Sequence, residues 1–264
     1  MIRLEDVSVT FNAGSALETR ALRSLQLTIA AGQFVTVIGS NGAGKSTLLN
    51  LIAGETESDS GRILIDGSDV SGWSTARRSA LVARVFQDPI SGSCENLTLE
   101  ENLALASSRG ARRGFRRAIN RERQRLFQQK IAELGLGLDS RLNDRMGQLS
   151  GGQRQAVSLV MATINPMKIL LLDEHTAALD PKTAAFVMAL TERIVRELSQ
   201  TTLMVTHSMR QALDHGDRTL MLHEGRVVLD VAGRERSHMQ VEELLHLFEQ
   251  VRGQQLDDDQ LLLD

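Results

Sequence analysis

The fold is decided by the stretch Gly39-Ser40-Asn41-Gly42-Ala43-Gly44-Lys45-Ser46. It matches the pattern G-x-x-x-x-G-K-[ST] at every fixed position. The apolar run 34–38 before it predicts a buried strand, and the apolar run 47–53 after it predicts a helix that ends at Gly54. A strand, a glycine-rich loop and a helix form the context that this pattern requires. The alternative is a chance glycine turn before a helix, which would need neither the lysine nor the hydroxyl.

This loop has the chemistry of a nucleoside triphosphate site. Its glycines let backbone N–H groups turn inward around phosphate oxygens, and the helix N-terminus adds the positive end of its dipole. Lys45 is placed to reach the β- and γ-phosphates, and the Ser46 hydroxyl is placed to bind Mg²⁺. The predicted nucleotide-binding residues here are Gly39, Ser40, Asn41, Gly42, Ala43, Gly44, Lys45, Ser46 and Thr47.

Length and composition set the broad class. The chain has 264 residues, of which 42% are apolar, and its net charge of −3 does not suggest nucleic acid as a partner. Cys94 is the only cysteine, which excludes an internal disulfide and a zinc site built from cysteines. No run approaches the ~18 apolar residues of a membrane span, and the charged N-terminus does not resemble a signal peptide. These features predict a soluble, intracellular protein, which still allows docking onto a membrane protein.

The rest of the chain alternates between strand and helix patterns. Strands are predicted at 2–11, 25–29, 61–65, 82–86, 168–172 and 202–205, and a hairpin at 220–222 and 227–229. Between 88 and 165 the period becomes helical. One predicted helix holds Leu97, Leu99, Leu103 and Leu105, a second holds Ile119, Leu126, Ile131 and Leu134, and a third follows Ser150. Further helices are predicted from Asp180-Pro181 and over 241–248, before an acidic tail. The predicted class is α/β, with a mostly parallel sheet, additional antiparallel strands and an all-helical insert.

Two further motifs extend the predicted site. Asp173-Glu174 follows a buried strand, where one carboxylate can hold Mg²⁺ through water and the next can act on an attacking water. Seen alone, the pair fits a surface turn equally well. Leu149-Ser150-Gly151-Gly152-Gln153 ends 20 residues before Asp173, and two glycines at a helix start can expose N–H groups to a second phosphate. As a lone pentapeptide it would be no more than an N-capped helix.

With these motifs the chain resembles the nucleotide-binding subunit of an ABC transporter, over roughly residues 1–235. The resemblance implies a P-loop NTPase core (1–87 and 166–235), an all-helical ABC subdomain (88–165) and a C-terminal helix with an acidic tail (236–264). It implies hydrolysis of ATP with Mg²⁺. It also implies a second copy of the chain as partner, with two ATP molecules sandwiched between the two copies.

The resemblance assigns roles by position. Phe11 matches the aromatic residue that stacks on adenine, Gln87 the glutamine that contacts Mg²⁺ and senses the membrane partner, and His207 the switch histidine on the γ-phosphate. The implied catalytic residues are Glu174, His207, Gln87 and Lys45, and the implied metal ligands are Ser46, Gln87 and Asp173. The residues implied to act on the nucleotide of the other subunit are Ser150, Gly152 and Gln153. Asp180 is implied to lie at the dimer interface. His175 stands where proline is usual, and Ala156 where many members have arginine, which suggests a subfamily.

The implied function is to drive a membrane permease from the cytoplasmic side of the inner membrane, as a peripheral subunit. Segments 149–163 and 173–180 are similar to ATPases of bacterial amino-acid importers, including tryptophan/tyrosine systems, whose complete form includes a solute-binding protein. The alternatives are the ATPase of an exporter and a soluble ABC-type ATPase acting on nucleic acid or ribosomes. The sequence lacks the tandem domains, long coiled coils and zinc cysteines typical of the soluble class, so no nucleic acid is expected. A nucleotide-sensing pseudoenzyme is disfavoured, because no catalytic position is missing.

One segment has an unusual charge. Between Arg109 and Lys130, nine basic residues stand against Glu122 alone, a local charge of +8 in a chain of −3. A solvated helix face, attraction to anionic lipids or acidic partner loops, and nucleic-acid binding all remain open. Replacing Arg112, Arg113, Arg116 and Arg117 by Gln is expected to leave basal ATPase intact and to weaken association with anionic liposomes or the permease at low salt.

Overall fold

The computed structural model describes residues 1–111 and 117–250. Its strands are β1 (Ile2–Phe11), β2 (Thr19–Ile29), β3 (Phe34–Gly39), β4 (Ser60–Ile65), β5 (Ser68–Asp69), β6 (Val82–Val85), β7 (Ile169–Asp173), β8 (Thr201–Val205), β9 (Arg218–His223) and β10 (Arg226–Ala232). Its helices are α1 (Lys45–Ala53), α2 (Thr75–Arg78), α3 (Leu99–Ser107), α4 (Arg121–Ala132), α5 (Gly151–Thr163), α6 (Pro181–Glu197), α7 (Met209–Asp214) and α8 (Gly233–His238). A 3₁₀ turn spans Met146–Gln148, and residues 241–250 are helical.

The strands form two sheets. The larger sheet has the order β10-β9-β3-β8-β7-β6, in which every pair is parallel except β10 with β9. The smaller sheet, β2-β1-β4-β5, is antiparallel throughout. This arrangement confirms the predicted α/β class. Because β9, β3, β8, β7 and β6 run the same way, their carboxyl ends share one edge, and that edge carries the candidate site.

Helix α1 is packed between the two sheets. Its apolar residues Leu48, Leu49, Leu51 and Ile52 are fully buried in one cluster with side chains of β1 and β3. A second cluster lies on the other face of the large sheet, where strand residues meet α3, α5 and α6. Burial on both faces explains why the central strands are continuous apolar runs in the sequence.

The C-terminal end of α1 is tied to the segment that follows the small sheet. Gly54 closes the helix in the left-handed conformation, with a φ of 76°. The guanidinium of Arg78 is almost fully buried and donates to the carbonyls of Leu51 and Ile52 at the end of α1, and also to the carbonyl of Val70. These bonds satisfy helix carbonyls that have no partner within α1. In the same segment, the guanidinium of Arg77 stacks 3.6 Å from the ring centroid of Trp73.

Several predicted boundaries were wrong. Leu97 lies outside α3, because the Thr98 side chain caps that helix and the helix begins at Leu99. Ile119 and Leu134 lie outside α4, which begins after the Asn120 cap and ends at Ala132. Strand β2 starts at Thr19 and not at residue 25, because an irregular register near Ser24, whose φ is 46°, hides its alternation.

The region predicted to be an all-helical insert contains helices α3, α4 and α5. Within 88–165, the described residues form helices and one isolated bridge between Thr98 and Arg145. The exact domain limits stay a prediction. Arg112, Arg113 and Arg116 and the acidic tail lie outside the described residues. No helix in residues 1–111 or 117–250 has the length and apolar character of a membrane span.

Candidate nucleotide-binding site

Two glycines of the loop between β3 and α1, Gly39 and Gly44, have no room for a side chain. At Gly39, with a φ of 152°, an added Cβ would lie 2.2 Å from the carbonyl oxygen of Leu222 on β9. At Gly44, with a φ of 100°, it would lie 2.4 Å from the carbonyl oxygen of Ala21 on β2. The loop is therefore packed closely against a strand of each sheet, β9 at Gly39 and β2 at Gly44.

Lys45 lies inside this loop. Its side chain is 6% exposed, and Nζ donates to the carbonyls of Gly39 at 2.8 Å and Ser40 at 2.9 Å. Burial lowers the pKa of the Lys45 ammonium, while the nearby carboxylates of Glu174 and Asp173 favour its charged form. A buried cation facing two carboxylates is the arrangement expected where a phosphate chain and a metal are to be held.

The adjacent strands end in the predicted acidic residues. Asp173 ends β7, and the N–H of Glu174 donates to the carbonyl of Val205, the last residue of β8. Two residues further along, Nε2 of His207 lies 2.6 Å from Oε1 of Glu174. The Glu174 carboxylate is 11% exposed and the His207 ring 51% exposed, so the pair opens outward from the sheet edge. Glu174 has a φ of 45°, a left-handed conformation that costs a non-glycine residue about 1 kcal/mol.

Sequence reasoning missed the partner of Asp173. Arg84, on β6, donates from Nη2 to Oδ2 of Asp173 at 2.6 Å. From Nη1 it donates to Oδ1 of Asn50 and to Oε2 of Glu55, each at 2.7 Å. The available signal was a charged residue within the short apolar run 82–86, which is unusual for a buried strand.

The residues present fit Mg²⁺. Ser46, Gln87 and Asp173 offer hydroxyl, amide and carboxylate oxygens, the hard ligands that this ion prefers. Oδ2 of Asp173 accepts from Arg84, and within residues 1–111 and 117–250 no side chain donates to Oδ1. In the part of the chain that the structure describes, no three His, Cys, Asp or Glu residues form a cluster able to hold a metal. A sparse set of this kind suits Mg²⁺, which is usually completed by water and substrate phosphate.

The start of α5 is a separate element. The Ser150 hydroxyl accepts from the N–H of Gln153, and the Gln153 side chain accepts from the N–H of Ser150, a capping box. An added Cβ at Gly152 would lie 2.0 Å from Cγ2 of Thr183 on α6, so this glycine permits close helix packing. Among the described residues, no hydrogen bond or ion pair joins this helix start to the 39–46 loop.

The remaining predicted residues lie at the ends of strands or at the start of a helix. Phe11 ends β1 and is 40% exposed, and Gln87 is exposed two residues after β6. The amide of Gln155 on α5 donates to the carbonyl of Phe86, which links α5 to the segment that carries Gln87. Asp180 caps α6, and the hydrogen bonds from Thr183 lower the pKa of its carboxyl.

Comparisons with known proteins agree with this geometry. Residues 22–177 match the family model described as ABC transporter. A tyrosine transport ATP-binding protein of Clostridioides difficile is 43% identical over 249 residues, covering 94% of this chain and 99% of that relative. An aliphatic sulfonates import ATP-binding protein of Burkholderia cenocepacia is 37% identical, covering 88% of this chain and 64% of that relative.

Solved structures give the same result. A dimeric ATP-binding cassette in a post-hydrolysis state, bound to ADP and Pi, has a TM-score of 0.75 at 30% identity, covering 88% of this chain and 98% of that one. A second dimeric structure of a bacterial ABC transporter cassette has a TM-score of 0.75 at 31% identity, with the same coverage. The chain therefore belongs to the family of ABC transporter ATP-binding subunits.

Proposed function

We propose that this ABC ATPase hydrolyses ATP with Mg²⁺ at the site formed by Lys45, Asp173, Glu174 and His207. The observation that carries the proposal is the meeting of these side chains at the carboxyl edge of one parallel sheet. The contact of 2.6 Å between His207 and Glu174 and the attraction of Lys45 to both carboxylates support it. Loop residues 39–46 and Thr47 bind the phosphates, and Phe11 stacks on adenine.

Each side chain has a separate task in hydrolysis. Lys45 and the loop N–H groups bind the β- and γ-phosphates and stabilise the charge of the transferring phosphoryl group. Glu174 accepts the proton of the attacking water or orients that water. His207 orients the Glu174 carboxylate and contacts the γ-phosphate. Ser46, Gln87 and Asp173 would hold Mg²⁺, which would supply positive charge against the phosphate oxygens.

The catalytic unit is a dimer of the chain. Ser150, Gly152 and Gln153 complete the site of the other subunit. This accounts for the absence, among the described residues, of a hydrogen bond or ion pair between them and the 39–46 loop. The dimeric cassettes at 30% and 31% identity support this assembly. Size-exclusion chromatography of Glu174→Gln tests it: with ATP and Mg²⁺ the variant should elute as a dimer. A variant that binds ATP yet remains monomeric would contradict the assembly.

The transported solute is an aromatic amino acid, and the direction is import. The support for the solute is the relative named for tyrosine transport, which matches nearly end to end at 43% identity. The support for the direction is the relative named for import of aliphatic sulfonates. The implied partners are a membrane permease, which holds the subunit at the cytoplasmic face of the inner membrane, and a solute-binding protein. Cells lacking the gene should take up labelled tyrosine or tryptophan more slowly. Wild type should restore uptake and Glu174→Gln should not; unchanged uptake of both would refute the solute.

A further inference from the structure

Arg84 joins two parts of the nucleotide site that are distant in sequence. Its side chain is 10% exposed, and its three hydrogen bonds reach Asp173 at the end of β7 and Asn50 and Glu55 near the end of α1. The guanidinium also lies 4.7 Å from the ring centroid of Phe86. One planar cation thus clamps the predicted metal-binding carboxylate to the helix that follows the phosphate loop.

The strand geometry explains this placement. Val82 packs in the cluster that contains α1, whereas Ala83 and Val85 pack on the opposite face of the sheet. Because side chains alternate along a strand, Arg84 faces α1 as Val82 does. β7 pairs in parallel with β6, and its residues Ile169 and Leu171 also face α1, which puts Asp173 on the same side as Arg84. The contact therefore follows from the register of the sheet.

The charges show what this contact controls. Asp173 has one ion pair in the described structure, with Arg84, through Oδ2. Its side chain is 16% exposed, so water stabilises the carboxylate only in part. Because Arg84 contacts only Oδ2 of Asp173, Oδ1 stays available for a metal. The same contact fixes the direction in which Oδ1 points. Partners of this kind orient metal ligands in many sites.

We propose that Arg84 is a positioning residue for Mg²⁺: by holding Asp173 against α1, it sets the metal affinity of the nucleotide-bound site. This inference rests on the proposed function. In the proposed site Arg84 contacts neither the nucleotide nor the metal, and it acts through Asp173. Losing it leaves the carboxylate free to turn toward Lys45, which already attracts it.

The test compares nucleotide affinity with and without the metal. The Kd of a fluorescent ATP analogue is measured in EDTA and in saturating Mg²⁺ for wild type, Arg84→Met and Arg84→Lys. The measured quantity is the Kd in EDTA divided by the Kd in Mg²⁺, which states how much the metal tightens nucleotide binding. This ratio should fall about tenfold in Arg84→Met, which is the lower end of the effect of losing a partner of a metal ligand. It should fall less in Arg84→Lys. The EDTA value itself should hardly change. Arg62→Met is the matched control, because Arg62 is also a strand arginine paired with a carboxylate, that of Glu5.

The outcomes separate the proposal from its alternatives. A lower melting temperature with an unchanged ratio would mean that Arg84 is only structural, and a higher ratio would mean that its charge opposes the metal; either result overturns the proposal. If Arg84→Met does not fold, Arg84→Lys, which keeps the charge and one contact, decides by the same ratio. Wild type that binds ATP equally in EDTA and Mg²⁺ would refute the metal site itself, which is a distinguishable failure of the proposed function.

Discussion

Acidification should destabilise this protein through His175. The ring is 2% exposed, and its Nε2 lies 3.0 Å from Oγ1 of Thr191. The Thr191 hydroxyl donates to the carbonyl of Val187, so in the contact with His175 it accepts a hydrogen bond from Nε2–H. Burial, with the nearby His215 as a smaller cause, lowers the pKa of His175 from 6.5 to about 4.

The sign and size follow from proton linkage. Above pH 6.5 the ring is neutral in both states, and its contribution is fully present. As the pH falls from 6.5 toward 4, the unfolded chain binds a proton that the folded chain excludes. The free energy of unfolding should then fall by up to about 1.4 kcal/mol per pH unit, and by about 3 kcal/mol in all.

Urea denaturation followed by circular dichroism, from about pH 7 to about pH 4.5, measures this loss. His175→Gln removes the titrating ring and keeps a donor for Thr191, so its stability should depend less steeply on pH. The exposed His246, changed to Gln, is the control and should keep the wild-type slope. Acidic residues add to the slope in every variant and cancel in the comparison. Equal slopes for wild type and His175→Gln would refute the reasoning.

Three substitutions test the site. Glu174→Gln should keep ATP affinity and slow hydrolysis by about 100-fold or more, because it preserves shape and removes the base; phosphate release at wild-type rate would exclude this role. Lys45→Ala should weaken ATP binding by about 10-fold to 100-fold through the lost charged hydrogen bonds, and calorimetry showing unaltered affinity would count against the loop assignment. Gly39→Ala should lower the free energy of unfolding by about 2 kcal/mol or more, since its Cβ would meet the Leu222 carbonyl; wild-type stability in urea would contradict that clash.

The phosphate loop and the strand before Asp173 could be predicted because their signals are local. A glycine pattern between two apolar runs specifies strand, turn and helix without any knowledge of distant contacts. Likewise, the Asp180-Pro181 helix start was predictable from the capping carboxylate and the proline. All three lie in the structure where the sequence placed them, the strand to within one residue.

The missed features depend on distant contacts or on very short elements. The role of Arg84 needs the register between β6 and β7, which brings residue 84 to residue 173 and is invisible in either segment alone. Leu97 is apolar and near α3, but its carbonyl accepts from the N–H of Met146 in another segment. Helix α2 has four residues and β5 has two, too few for a periodic pattern to emerge.

Trp73 is the single source of tryptophan fluorescence in this protein. The protein has one tryptophan and no tyrosine, so its ultraviolet emission under selective excitation comes from a single indole. That indole is partly buried, lies beneath the Arg77 guanidinium, and belongs to the segment whose Arg78 is bonded to the end of α1. Any movement of the phosphate-loop helix relative to this segment would change the environment of the one fluorophore. A change in this emission on addition of nucleotide would therefore report movement of that helix in the unlabelled protein.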